Sequence, residues 1–224
     1  MSFATTVFAV DEYARSAASL IASELEGASS LVLTGGTTAE RIYPELASSS
    51  TDEWGRLEVF FSDERCVPPD DPASNFGMAA RLLLQPSGAA SVHRMRGEDL
   101  PEDAAAAYHE EVSPVASEGG FNLLLLGMGS DCHIAALFPG SQALGAEQLC
   151  ATVDRPDGMT GLTLTPGALA TAKKVLLLVT GAGKADAMAR AVTGEEPPHD
   201  CPARLLADHP DATFVLDRPA AAHL

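Results

Sequence analysis

Four consecutive leucines, Leu123 to Leu126, constrain the fold of this chain more than any other feature. A strand with one face in water alternates apolar and polar residues. A run without that alternation belongs inside a parallel sheet covered by helices on both faces. The run ends in Gly127-Met-Gly129, and Asp131 and His133 follow. In open α/β sheets, ligands bind in the crevice outside the C-terminal strand ends. A carboxylate and an imidazole delivered there are placed for proton transfer.

The rest of the chain repeats the theme. Phe3 to Val10 reads as a strand, and Asp11 can cap a helix reaching about Glu26, with Ala17, Leu20, Ile21 and Leu25 on one face. Ser30 to Thr34 is a strand leading through Gly35-Gly36-Thr37-Thr38 into a helix to about Ala47. Leu57 to Ser62 reads as a third strand, and Ser74 caps a helix from Asn75 to Leu84. A helix from Pro101 to about Ser117 precedes the leucine strand. Lys174 to Thr180 is a strand, Gly181 to Val192 a helix, Pro202 to Ala207 a short helix and Thr213 to Leu216 a last strand. Strands alternating with helices predict a mostly parallel sheet in an α/β fold. No linker divides the chain, so residues 1–224 are expected to form one domain.

Charge narrows the partners. The net charge is -17, which repels nucleic acid and anionic membrane alike. No apolar run approaches the ~18 residues of a membrane span, and the N-terminus lacks the pattern of a signal peptide. The four cysteines show neither metal-ligand nor disulfide-framework spacing, so reduced thiols in a cytoplasmic protein are expected. Lysine is scarce: only Lys173, Lys174 and Lys184 occur. A cation near a candidate site therefore carries weight, and a small anionic substrate stays open.

Three further strand ends carry chemistry. Gly35, Gly36, Thr37 and Thr38 form a glycine turn into a helix N-terminus, which aims backbone N–H groups at an anion; the plain alternative is a tight turn with a threonine cap. It is neither a P-loop nor a dinucleotide fingerprint. Val59 to Pro69 runs from an apolar strand into Asp63, Glu64 and Arg65, where Arg65 can serve a phosphate or a developing oxyanion and the acids brace it; a solvated strand end is the alternative. Lys184, in the first turn of a late helix, is disfavoured by the helix dipole unless an anion offsets it; an ordinary exposed lysine is the alternative. Cys132 beside His133 is not read as a nucleophile, because adjacent side chains diverge. No third ligand stands near for a metal. The four ends together describe a phosphate-ester site with a proton-transfer group and no metal or nucleotide requirement.

Ordered motifs along nearly the whole chain resemble the 6-phosphogluconolactonase family: Thr34-Gly-Gly-Thr-Thr, Ser62-Asp-Glu-Arg-Cys-Val-Pro, Ser74-Asn-Phe-Gly-Met, Leu126 to Gly140, Leu162-Thr-Leu-Thr and Val179-Thr-Gly-Ala-Gly-Lys. The resemblance implies a three-layer α/β/α fold with a Rossmann-like parallel sheet. It implies hydrolysis of 6-phosphogluconolactone, a small phosphosugar lactone, without a cofactor; a monomer is a working expectation that the resemblance does not supply. His133 would be the base that activates water, Asp131 its neighbour, and Arg65, Gly35 to Thr38 and Lys184 the groups that hold the phosphosugar.

Two positions depart from the family pattern. Where the family has Gly before the histidine, this chain has Cys132. If that position needs φ > 0, Cys costs roughly 1–2 kcal/mol and threatens the placement of His133. Where the family carries an Arg before Leu-Thr-Leu-Thr, this chain has Gly161, so Arg155 or Arg41 would have to compensate. An arginine restored at 161 is expected to tighten anion binding. The rival readings are a glucosamine-6-phosphate deaminase and a catalytically silent phosphosugar sensor. The deaminase pattern continues after the histidine toward Phe-Asn-Glu-Pro, whereas this chain has Ala136-Leu-Phe-Pro-Gly140.

Overall fold

The computed structural model describes residues 4–49 and 53–224. In chain order the strands are β1 (Ala4–Phe8), β2 (Ser30–Leu33), β3 (Glu58–Phe61), β4 (Asp63–Arg65), β5 (Ser91–Val92), β6 (Leu123–Gly127), β7 (Cys150–Asp154), β8 (Thr160–Leu164), β9 (Lys174–Val179) and β10 (Ala212–Asp217). The helices are α1 (Tyr13–Glu24), α2 (Gly36–Ser48), α3 (Asn75–Ala79), α4 (Gln85–Ser87), α5 (Pro101–Ser117), α6 (Pro166–Leu169) and α7 (Ala185–Thr193).

Seven strands form one sheet in the order β1-β10-β9-β6-β2-β3-β5, and every pair in it is parallel. The leucine run sits at its middle, and each of its four side chains is at most 1 % exposed. Leu123 and Leu125 point into the core with Ile21 of α1 and Ile42 of α2. Leu124 and Leu126 point into the opposite core with Tyr108 of α5 and Met188 of α7. Burying a leucine fully contributes about 1.5–3 kcal/mol. A polar residue anywhere in this run would therefore strike one core or the other. This is the three-layer α/β/α arrangement that the sequence predicts.

A second sheet lies outside the prediction. β4, β8 and β7 pair antiparallel in that order. Ser62 is where the chain changes sheets: its N–H donates to Leu33 O at 2.8 Å, while its own carbonyl accepts from Leu164 N at 2.8 Å. Asp63 to Arg65 is thus a strand of its own rather than the charged tip of β3.

Smaller differences have local causes. Asp11 does not cap α1; the N-cap is Glu12, and it makes no side-chain capping bond. Ser74 does cap α3, accepting from Gly77 N at 3.0 Å. The helix expected to reach Leu84 widens into a π stretch over Ala80–Leu84 before α4. Lys184 ends a 3-10 turn, Ala182–Lys184, immediately before α7. The short helix at Pro202 is also 3-10, Pro202–Asp208. Phe3 lies outside the described residues.

Candidate active site

The strand order brings the four chemically marked strand ends together. β9, β6, β2 and β3 are consecutive neighbours in the sheet, and all point the same way. From β2 the chain moves outward to β3 on one side, and it later returns as β6 on the other. The crevice at that switch point is where an open α/β sheet takes a ligand. A cleft of about 200 Å³ lies there, lined by Gly35, Gly36, Thr37, Thr38, Arg65, His133 and Lys184, among others. Asp131 stands behind His133.

The two glycines of the first loop have different reasons to be glycine. Gly36 has φ +88°, in the left-handed region. At Gly35 a Cβ would come 1.9 Å from Asn75 Oδ1, so the bare backbone admits that side chain. Tyr43 anchors the start of the loop, with its hydroxyl accepting from Thr34 N at 3.1 Å and donating to Thr34 O. α2 opens at Gly36, so its first N–H groups lack intrahelical acceptors, and Gly36, Thr37 and Thr38 line the cleft.

Arg65 is held by a buried polar cluster. Its Nη1 donates to Ala73 O at 2.8 Å and to Asn75 Oδ1 at 2.6 Å. The Asn75 amide donates in turn to the backbone and side chain of Asp63, at 2.9 and 3.1 Å. Glu64, 2 % exposed, accepts from Arg65 N, Asn75 N, Phe76 N and the Ser74 hydroxyl. Burial still leaves the Glu64 carboxyl above its ordinary range, because four neutral donors do not fully replace water. Both acids are therefore braces, as expected. Among the described residues no carboxylate pairs with the guanidinium of Arg65.

His133 and Asp131 meet at 2.6 Å through Nδ1 and Oδ1, and the same carboxylate oxygen accepts from His133 N at 3.2 Å. Burial pushes the Asp131 carboxyl up, but the hydrogen bonds and charge of His133 outweigh it and hold the group at about 2. With Nδ1 donating to Asp131, the neutral imidazole carries its lone pair on Nε2. Among the described residues Nε2 has no partner. Gly129 makes the pairing possible: a Cβ there would lie 2.1 Å from His133 Nδ1 and 2.3 Å from Asp131 Oδ1. Phe138 packs on the other side of the imidazole, ring centroids 4.5 Å apart.

Cys132 does adopt the left-handed conformation, at φ +74°. The strain does not displace His133, whose bonds to Asp131 are intact. Cys132 is fully buried, and its carbonyl accepts from Ala203 N at 3.0 Å. Burial raises its thiol pKa, which keeps it protonated and unsuited to nucleophilic attack.

Lys184 reaches the cleft from the β9–α7 turn. Gly181 at φ +95° makes that turn, and its N–H donates to both oxygens of Asp217 at 3.0 Å. Thr38 and Thr180 hydroxyls bond at 2.9 Å, which ties this turn to the glycine loop. Burial lowers the Lys184 pKa against an upward pull from Asp131. Among the described residues Lys184 has no ion pair or hydrogen-bond acceptor. Arg41 does not join the site; it donates to Val10 O at 3.4 Å. Arg155 does line the cleft.

Asn75, Asp217, Gly129 and Phe138 were not singled out from sequence. Asn75 and Asp217 carry no local signal, since each works through partners distant in the chain. Gly129 could have been suspected from its place two residues before Asp131.

Among the described residues no three His, Cys, Asp or Glu side chains gather to hold a metal ion, and no helix is long and apolar enough to cross a membrane. Residues 6–215 match the family described as glucosamine-6-phosphate isomerases/6-phosphogluconolactonase. A 6-phosphogluconolactonase of Haemophilus influenzae is 34% identical, over 98% of this chain and 97% of its own. One from Mycobacterium tuberculosis is 37% identical, over 88% and 86%. The solved structure of a 6-phosphogluconolactonase from Trypanosoma cruzi superposes with a TM-score of 0.87 at 27% identity, covering 100% of this chain and 98% of that one. A monomeric glucosamine-6-phosphate deaminase gives the same TM-score at 23% identity, so the fold alone does not separate the two activities.

Proposed function

Since the chain belongs to the family of glucosamine-6-phosphate isomerases and 6-phosphogluconolactonases, we propose that it hydrolyses 6-phospho-D-glucono-1,5-lactone to 6-phospho-D-gluconate. The observation that carries this reading is the Asp131–His133 pair, which leaves Nε2 free in a cleft that also holds an unpaired lysine and a helix N-terminus.

In this mechanism His133 Nε2 takes a proton from water as the oxygen attacks the lactone carbonyl. Asp131 holds the tautomer and stabilises the imidazolium that forms. Arg65 stabilises the negative charge that develops on the carbonyl oxygen. As the tetrahedral species collapses, the C1–ring oxygen bond breaks and the imidazolium returns its proton to the leaving alkoxide. The phosphate sits on the N–H groups of Gly36 to Thr38 and on Lys184. No step calls for a cofactor or a metal.

The deaminase reading is disfavoured by Ala136-Leu-Phe-Pro-Gly140, which supplies no glutamate after the histidine to assist ring opening. We further place the chain in the cytoplasm, acting as one domain and one copy; its four unpaired cysteines suit a reducing compartment. Turnover of freshly made lactone, corrected for spontaneous hydrolysis, tests the activity against glucosamine 6-phosphate as the competing substrate. Lactone turnover well above background with no ammonia release supports it. Ammonia release, or no turnover of either, rejects it.

A further inference from the structure

Gly161 and Arg155 share one space. They belong to the β7–β8 hairpin, and Gly161 stands in register opposite Arg65. A Cβ added at Gly161 would lie 3.0 Å from Arg155 Cδ and 3.0 Å from Glu64 O. The Arg155 stem thus passes directly over the bare α-carbon of Gly161. Its side chain is only 9% exposed. The guanidinium carbon stands 5.4 Å from the centre of the Phe138 ring, the ring that also packs on His133. Asp157 takes Nε and Nη2, both at 3.2 Å. Nη1 has no acceptor among the described residues. Among the described residues Arg155 alone lines both the 200 Å³ cleft and an adjoining cleft of about 610 Å³.

We propose that Arg155 is a substrate-binding cation that engages the phosphate, and that Gly161 lacks a side chain in order to admit it. This rests on the phosphosugar reading above. A guanidinium already oriented by an aromatic face and a carboxylate loses little freedom on binding, and its fork suits phosphate oxygens. The phosphate is the one permanent anion on the lactone, and a permanently held cation matches it. In a chain of net charge -17, with only 14 Lys and Arg, three cations (Arg65, Arg155 and Lys184) line one small cleft against the single carboxylate of Asp63, which favours an anion there.

The test measures binding apart from turnover. Calorimetry of 6-phosphogluconate with the intact protein gives Kd for the wild type, Arg155→Met, Gly161→Arg and the double variant Arg155→Ala/Gly161→Arg. Arg155→Met should weaken binding about 10–150-fold, the worth of one charge-assisted hydrogen bond. Its kcat/KM on unphosphorylated gluconolactone should fall far less than the Kd for 6-phosphogluconate rises. Gly161→Arg alone should weaken binding, because two arginines contend for one space, and the double variant should bind at least about tenfold tighter than Arg155→Met. Thermal denaturation confirms that each variant is folded, and Arg155→Gln, with the same expected loss, serves where Arg155→Met is not. An unchanged Kd for Arg155→Met, an equal loss on the unphosphorylated lactone, or tighter binding by Gly161→Arg alone would overturn the proposal. If the wild type binds 6-phosphogluconate through Arg155 but fails to hydrolyse the lactone, the proposed activity falls while the role of Arg155 stands.

Discussion

Two carboxylates, Asp131 at the edge of the parallel sheet and Glu64 in the small antiparallel one, meet burial in opposite ways. Asp131 gains an imidazole partner, and its pKa falls to about 2. Glu64 gains four neutral donors, and its pKa rises. Asp131 is less desolvated, so the hydrogen bond and charge of His133 outweigh its burial, whereas four neutral donors do not outweigh that of the buried Glu64. The contrast matches a division of labour. In the proposed mechanism the parallel sheet delivers the groups that move a proton and cradle an anion. The small sheet delivers guanidinium groups and the acid that braces one of them.

The largest expected effect lies on the small sheet. Glu64→Ala strands three backbone N–H groups, each worth about 1–3 kcal/mol when buried without a partner. Urea denaturation should show a loss of at least about 3 kcal/mol. The matching change on the other side, Asp131→Asn, should cost no more than about 1 kcal/mol, because its side chain is 44% exposed. Equal losses would erase the distinction.

Next comes Lys184→Ala, which should raise KM for the lactone about 10–150-fold with a smaller change in kcat. Because burial lowers the Lys184 pKa, phosphate affinity should also decline at a lower alkaline pH than an ordinary lysine would allow. Lys184→Arg should remove that decline while preserving binding at neutral pH.

Cys132→Gly relieves a non-glycine φ of +74°. Relief of strain offsets the loss of a fully buried thiol, so stability should change by less than about 1 kcal/mol with activity retained, as read from Tm and steady-state rates. A trapped acyl group on Cys132, or complete loss of activity, would contradict this.

The smallest effect is in the pH dependence of stability. Asp131 has a depressed pKa, so its contribution is present above the unfolded value of about 3.9 and disappears as pH falls toward about 2. Wild type and Asp131→Asn should therefore converge in stability near the low end of that window. Glu64 has the reverse sign. Its raised pKa makes stability fall as pH rises through that value, and Glu64→Gln should flatten that slope.

The same two regions differ in how far they could be read from sequence. Strands β2, β6 and β9 are apolar runs whose type is written locally, and the motifs at their ends fell within one cleft. The antiparallel sheet is not written locally. Asp63 to Arg65 looks like a charged loop until Thr163, Leu162 and Gly161 are brought beside it from about a hundred residues away. Asn75 was visible as part of a helix start, but its bonds to Arg65 and Asp63 depend on that distant pairing. Gly161 was read as a missing cation. The structure puts Arg155 across it, so the expected gain from Gly161→Arg becomes an expected clash.

The central claim is that proton transfer resides in the Asp131–His133 pair, with Arg65 on the developing oxyanion, while Lys184 and the glycine loop bind the phosphate. Steady-state kinetics of His133→Ala on 6-phosphogluconolactone test it most directly, with spontaneous hydrolysis subtracted. A positioned base contributes ~10²–10⁴-fold, so kcat should fall by that factor while KM and the Kd for 6-phosphogluconate stay within about twofold. An unchanged kcat, or a loss confined to KM, would remove His133 from the mechanism and the division of labour with it.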